Sequence, residues 1–288
     1  MVNDNISNML SSYKLNTEVD RENALKEIIQ NIALLGLQAG GFFQHAAFYG
    51  GTALRICHNL NRFSEDLDFC LNQPDEKFTF KPYFESIQKA LENYGFSSEL
   101  MEKEKKILTT VKSAFVKQNT YAGLVTIGLA RSNAHPDKKV KIKLEVDTQN
   151  PNGAGYEKKL VLSPIPFQVT ILDMPSLFAG KLHAVLAREY KNRVKGRDFF
   201  DWLFYAQKRS KVNFDYLSAK LLDSKHIEQP LKNMDELKKL LHAKIDSTDF
   251  AKAKDDVQPF VSREVFELSI ANWEKDFFHA VVDELASK

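Results

Sequence analysis

At 288 residues, 43% apolar and 27% charged, the chain has the make-up of a globular protein with one large or two small domains, which excludes a low-complexity or disordered polymer. A net charge of +2 argues neither for nor against nucleic acid, and two cysteines, Cys57 and Cys70, exclude a disulfide scaffold and leave no Cys/His set at zinc spacing. Met1–Asn5 has no basic or apolar leader character and no stretch is long enough to span a bilayer, so a cytoplasmic protein with no membrane partner is expected.

In chain order, Leu25, Ile28, Ile29, Ile32 and Leu35 recur at helical spacing and predict an amphipathic helix over 18–38, ended by Gly40-Gly41. Ala46–Tyr49 reads as a short apolar strand entering a Gly50-Gly51 turn, after which Thr52 opens a short helix to Asn59. Phe84, Ile87 and Leu91 mark a helix near 81–94, closed by Gly95. Segments 96–117 and 121–131 read as strands, with Val125, Ile127 and Leu129 on one face of the second. The cleanest alternation follows: Val140, Ile142, Leu144 and Val146 on one face, Lys139, Lys141, Lys143, Glu145 and Asp147 on the other. A loop at Asn150–Gly155 and prolines 164 and 166 precede a last strand, Phe167–Leu172. Beyond it Asp173 is an N-cap with Pro175 in the first turn, and helices are predicted over 175–191, 197–208, 214–223, 233–245 and 263–286. The expected boundary is therefore residue 172, with an α/β half at 1–172 and a helical half at 173–288.

Two segments carry chemistry. The first joins Phe48-Tyr49-Gly50-Gly51-Thr52-Ala53-Leu54-Arg55 to Arg62-Phe63-Ser64-Glu65-Asp66-Leu67-Asp68-Phe69. On a strand, Asp66 and Asp68 share one face. Neighbouring carboxylates repel unless a cation sits between them, and Mg²⁺ is commonly held by one or two carboxylates plus substrate phosphates. A Gly-Gly turn at a helix N-terminus lets a phosphate approach main-chain N–H groups. Arg62 either contacts phosphate through its planar guanidinium or pairs with Glu65. The second segment is basic: Lys181, Arg188, Lys191, Arg193, Lys195 and Arg197, with Glu189 the one acid between its ends, followed by Asp198 and Asp201 three apart on a helix. It suits a triphosphate or an RNA backbone, or it is a solvated face with Arg197 paired to Asp201 or Asp198. Arg55, His45 and His58 read as structural, and Phe199, Phe200, Trp202, Phe204 and Tyr205 as core.

The glycine turn followed by Asp-x-Asp resembles the signature of the DNA polymerase β-like nucleotidyltransferases. The fuller Gly-Gly-Thr-Ala-Leu-Arg and Arg-Phe-Ser-Glu-Asp-Leu-Asp-Phe motifs, with the later lysine helix and Arg197-Asp198-x-x-Asp201, resemble the AbiEii/AbiGii toxin family. One departure is Gly51, where many superfamily members carry Ser, so Thr52 or Ser64 would have to supply a hydroxyl.

The resemblance implies an α+β fold: a nucleotidyltransferase-type mixed sheet with flanking helices, then an α-helical C-terminal half. It implies Mg²⁺ (or Mn²⁺) at Asp66, Asp68 and a third carboxylate. Glu145 is the best match for the third and Asp147 the fallback; in the bland alternative Glu145 only offsets its charged strand neighbours. It further implies nucleotide contacts from Gly50, Gly51, Thr52, Arg62, Ser64, Lys181 and Arg197, with Asp198 or Asp201 as a functional acid. The reaction would be NMP transfer from an NTP to an acceptor, RNA (the tRNA 3′ end) by resemblance, by the toxin of a type IV toxin–antitoxin pair with a cognate antitoxin. The rival expectations are a non-catalytic GTP-binding protein and a small-molecule nucleotidyltransferase.

Overall fold

The computed structural model describes residues 3–103, 110–130, 137–189 and 193–286. The chain divides into two compact units, the first made of residues 1–58, 63–150 and 158–171, the second of 59–62, 151–157 and 172–288.

The first unit opens with α1 (Asp4–Leu10) and α2 (Glu18–Ala39). Thr17 and Asp20 form a capping box that starts α2. Then come β1 (Ala46–Tyr49), α3 (Gly50–His58), β2 (Leu67–Leu71), α4 (Phe84–Asn93), β3 (Glu99–Lys103), β4 (Val111–Asn119), α5 (Thr120–Thr126), β5 (Lys139–Asp147), β6 (Tyr156–Val161) and β7 (Phe167–Leu172). The seven strands form one sheet in the order β3-β4-β5-β2-β1-β7-β6. The β2–β5 and β1–β7 pairs are parallel; β1–β2, β3–β4 and β4–β5 are antiparallel. This is the expected α+β architecture with a mixed sheet. One face of the sheet buries Leu67, Phe69, Leu144 and Val146 in a core with Ile28, Ile29 and Ile32 of α2. The opposite face keeps the polar members of β2 and β5.

The second unit is helical: α6 (Met174–Ala187), α7 (Gly196–Gln207), α8 (Phe214–Asp223), α9 (Met234–Asp246), α10 (Phe250–Val257), α11 (Arg263–Ser269) and α12 (Lys275–Asp283). Its core is aromatic, with Phe199, Trp202, Trp273 and Phe278 almost wholly buried and Phe250 stacked on Phe278 at 4.7 Å. Asp173 caps α6 by accepting from the Ser176 backbone N–H at 3.0 Å.

Several expectations are corrected. Residues 120–126 are helical, not strand: the Asn119 side chain accepts from the Ala122 N–H at 2.9 Å, and Leu124 and Ile127 turn inward while Val125 is exposed. A helical i, i+3 pair therefore replaces the alternation read there. The single strand expected over 96–117 is an antiparallel pair, β3 and β4; its residues 104–109 lie outside the described residues, as do residue 131 of the next expected strand and Lys191 of the basic stretch, while the helix expected over 175–191 ends at Ala187, where Arg188 turns extended. The expected helix at 263–286 is two helices, separated where the chain turns to bury Trp273. Elements α1, β6 and α10 were not anticipated. Finally, β2 begins at Leu67, so Asp66 stands just before the strand.

Candidate active site

In the first unit, four strands set one row of polar side chains across the sheet. Asp68 on β2 lies in register with Glu145 on the parallel β5 and with Tyr49 on the antiparallel β1; Ser113 on β4 lies opposite Glu145. Asp68 and Glu145 thus stand side by side on the face away from the core. Asp147 is in register with Cys70 instead, two residues along from this row. Glu145 Oε1 takes both the Ser113 hydroxyl at 3.1 Å and the Lys143 ammonium at 2.8 Å. Neither contact uses Oε2, the oxygen left for a further partner.

The glycine turn is built onto this row. Gly50 adopts φ +81°, a left-handed conformation that disfavours residues with a side chain, and a Cβ placed there would lie 2.6 Å from Asp68 Oδ2. The backbone of the turn is therefore packed directly against the carboxylate. Gly51 is buried in the first turn of α3. Thr52 is fully buried and its hydroxyl donates to the Asp66 carbonyl, which ties the start of α3 to the residue preceding β2. Ser64 is held through its backbone: its carbonyl accepts from Gln30 Nε2 at 3.1 Å, and the same amide donates to the Glu65 carbonyl at 2.9 Å. Lys26 of α2 pairs with the Glu65 carboxylate at 3.3 Å. Gln30 was missed in the sequence. Its only signal there is a polar residue on the apolar stripe of α2.

The donor chemistry fits a hard cation. Two carboxylates stand adjacent, and among the described residues no group of three or more His, Cys, Asp or Glu converges as a complete metal site. Such a pair matches an ion that takes one or two protein carboxylates and completes its shell with phosphate and water.

The second unit holds a buried charge cluster. Arg62 grips Asp201 with both ends of its guanidinium, Nε to Oδ1 and Nη2 to Oδ2, each at 2.6 Å, and both side chains are excluded from water. Lys181 on α6 bridges Asp198 at 2.9 Å and Asp201 at 2.8 Å on α7, and Arg188 also pairs with Asp198. Among the described residues, these ion pairs bring three cations to two anions, one positive charge in excess. Burial disfavours the ionised form of Asp201, but Arg62 and Lys181 outweigh it and hold its pKa below the usual carboxylate value. Burial likewise works against the charge of Lys181, and Asp198 and Asp201 more than offset it, so its pKa is raised. Tyr205, buried beside Asp201 and stacked on Phe178 at 4.6 Å, has its hydroxyl pKa pushed well up by that burial. Arg197 lies over the Phe260 ring at 3.9 Å and 4.0 Å from Asp256. The structure therefore brings Arg62, Lys181, Asp198 and Asp201 together, and places Arg197 toward α10.

A mixed sheet that carries a glycine turn beside paired carboxylates is the arrangement expected of a nucleotidyltransferase. The family described as "Nucleotidyl transferase AbiEii toxin, Type IV TA system" matches residues 32–280, most of the chain, and the chain belongs to this family of nucleotidyltransferase toxins. Among solved structures, a Helicobacter pylori protein described as a nucleotidyltransferase by assignment is similar at 18% identity and TM-score 0.46, covering 88% of each chain. JHP933 from Helicobacter pylori is similar at 18% identity and TM-score 0.44, covering 89% of this chain and 87% of that one. No curated protein sequence matches. Among the described residues, no helix is long and apolar enough to cross a membrane.

Proposed function

We propose that the chain transfers the NMP of a nucleoside triphosphate to an RNA hydroxyl, the tRNA 3′ end being the expected acceptor, in a reaction dependent on Mg²⁺ or Mn²⁺ in the cytoplasm. The observation that carries this reading is the register of Asp68 beside Glu145 with the Gly50 turn closed onto the Asp68 carboxylate. Asp68 and Glu145 would hold the metal, with Asp66 just before β2 as the further carboxylate of the motif, and the metal when bound supplies charge neutralisation on the phosphates. Gly50 and Gly51 would present main-chain N–H groups at the start of α3, and Ser64 a hydroxyl, to the terminal phosphates. A carboxylate oxygen of Glu145 would accept the proton of the attacking hydroxyl. That hydroxyl's oxygen bonds to the α-phosphorus, the bond from the α-phosphorus to the bridging oxygen breaks, and pyrophosphate leaves with the electron pair. In the second unit, Asp198 and Asp201 would position Lys181 and Arg62, and Arg188, half-exposed beside Asp198, would supply the excess charge that attracts a polyanion. Arg197 adds to that field. A cognate antitoxin follows from the family, and the excess of positive charge supports a polyanionic acceptor over an uncharged one.

The test combines each labelled NTP with Mg²⁺ and total RNA, then with tRNA alone. Labelled RNA is expected from the wild type and not from Asp68→Asn. Transfer to a small alcohol or aminosugar without RNA, or tight NTP binding with no transfer to any acceptor, would overturn the RNA reading.

A further inference from the structure

The second unit carries a cavity of about 660 Å³ walled by α7, α11, α12 and residues 59–61, a size within the roughly 300–1,000 Å³ of pockets that hold small ligands. Its deep part is apolar: Leu60, Phe200, Leu203 and Trp273 are each no more than 9% exposed. Asn59, Asn61, Gln207 and Asn272, all exposed, set four carboxamides around it. Among the described residues that line it, none is charged.

This lining narrows the occupant. A phosphate, carboxylate or ammonium inside it would be an ion without a counter-charge, which burial penalises. A carboxamide offers a donor and an acceptor side by side, the combination that reads the edge of a base, and aromatic rings stack on base faces. Phe200, Phe204, Trp273 and Phe277 supply the rings. The buried indole N–H of Trp273 has no acceptor among the described residues; such a donor is costly to leave unpaired, and an occupant bearing a carbonyl would relieve it. Positive charge lies next to the cavity, not in it. Asn61 directly precedes Arg62, Phe200 directly precedes Asp201, and Lys208 Nζ stands 4.9 Å over the Phe204 ring. An uncharged base inside and its phosphates outside match that distribution.

We propose that this cavity receives one unpaired nucleobase of an RNA, stacked on its rings and hydrogen-bonded at its edge by the carboxamides. The attached phosphates stay outside, near Lys208 and the cluster of Arg62, Lys181 and Arg188. The proposal rests on the reading that RNA is the acceptor, and it adds a requirement: the RNA must offer a base whose face and edge are not already taken by stacking and pairing.

The experiment titrates full-length protein, without NTP, with a single-stranded oligoribonucleotide and with an abasic strand of the same length and charge. It reads the fluorescence of Trp273 against the constant background of Trp202, the other tryptophan, which is buried in the core. The normal strand is expected to quench wild type and Asp68→Asn alike and to bind roughly 5–100-fold more tightly than the abasic strand. Phe277→Ala and Asn272→Asp, both at exposed positions, should remove that preference with the circular dichroism of wild type retained. If Phe277→Ala does not fold, Phe277→Leu, which keeps the apolar contact and lacks the ring, serves in its place. Equal binding of both strands or of neither by wild type, or an undiminished preference in both variants, would overturn the proposal. So would a wild-type dimer that Phe277→Ala makes monomeric, because a second copy would then fill the cavity. Base-dependent binding without NMP transfer to any RNA would uphold the cavity and refute the transfer reading; transfer to RNA without base-dependent binding would do the reverse.

Discussion

Gly50 carries two constraints at once: a left-handed backbone and a neighbour, Asp68 Oδ2, where its side chain would be. Gly50→Ala is expected to cost about 1–2 kcal/mol for the backbone alone and to push the carboxylate out of its row. Transfer activity should fall far more than stability, read by comparing turnover with the denaturant midpoint. The Arg62–Asp201 pair behaves in the opposite way. Arg62→Met leaves a buried carboxylate with one cation fewer and should destabilise by about 3–5 kcal/mol, whereas Arg62→Met with Asp201→Leu should recover most of that loss. Urea unfolding of the three variants checks it. Asp68 and Glu145 were legible in the sequence because strand alternation fixes which side chains share a face. The partner of Asp201 was not. Arg62 lies 139 residues away, and local spacing offered Glu65 for Arg62 and Arg197 for Asp201. Gln30 was hidden for a similar reason: its amide holds backbone carbonyls, which leave no trace in residue type.

At the scale of elements, α7 and α10 meet at Gly196, where an added Cβ would lie 1.7 Å from the Ala253 carbonyl oxygen. Gly196→Ala must push the two helix backbones apart and should cost about 1–3 kcal/mol. Gly180→Ala, within α6 and with nothing inside 4 Å of the added carbon, should be neutral or stabilise by up to about 1 kcal/mol. Thermal unfolding of the two variants side by side isolates the contact. Elements with one dominant signal were read correctly: β5 from its alternation, α2 from its apolar stripe, α6 from Asp173 and Pro175. The error at α5 has a physical cause. Val125, Ile127 and Leu129 mimic a strand face, while the Asn119 cap and the left-handed Gly128, at φ +74°, determine a single helical segment between them. The break before α12 was equally invisible, because burial of Trp273 is a tertiary event.

For the whole molecule, acid sensitivity should begin above the carboxylate range. His183, held against Ser224 at 3.0 Å, has its pKa lowered from 6.5 to about 4 by burial and then by the nearby Lys220. A lowered histidine pKa means that the unfolded chain binds the proton first, so stability falls as pH drops from 6.5 toward 4. The ceiling is about 3 kcal/mol, reduced because the ring is partly open to water. Asp201 adds a second loss in the same direction, its contribution being full above 3.8 and disappearing as pH falls through its lowered pKa. His183→Gln should flatten the first slope and leave the second, as followed by unfolding free energy against pH. The measurement that bears most directly on the account is NMP transfer from labelled NTP to RNA in Mg²⁺ by wild type, Asp68→Asn and Glu145→Gln, with folding verified for each. The expected result is labelled RNA from wild type and a drop of about 100-fold or more, roughly 3 kcal/mol of transition-state stabilisation, in either variant. Undiminished transfer by both folded variants would contradict it.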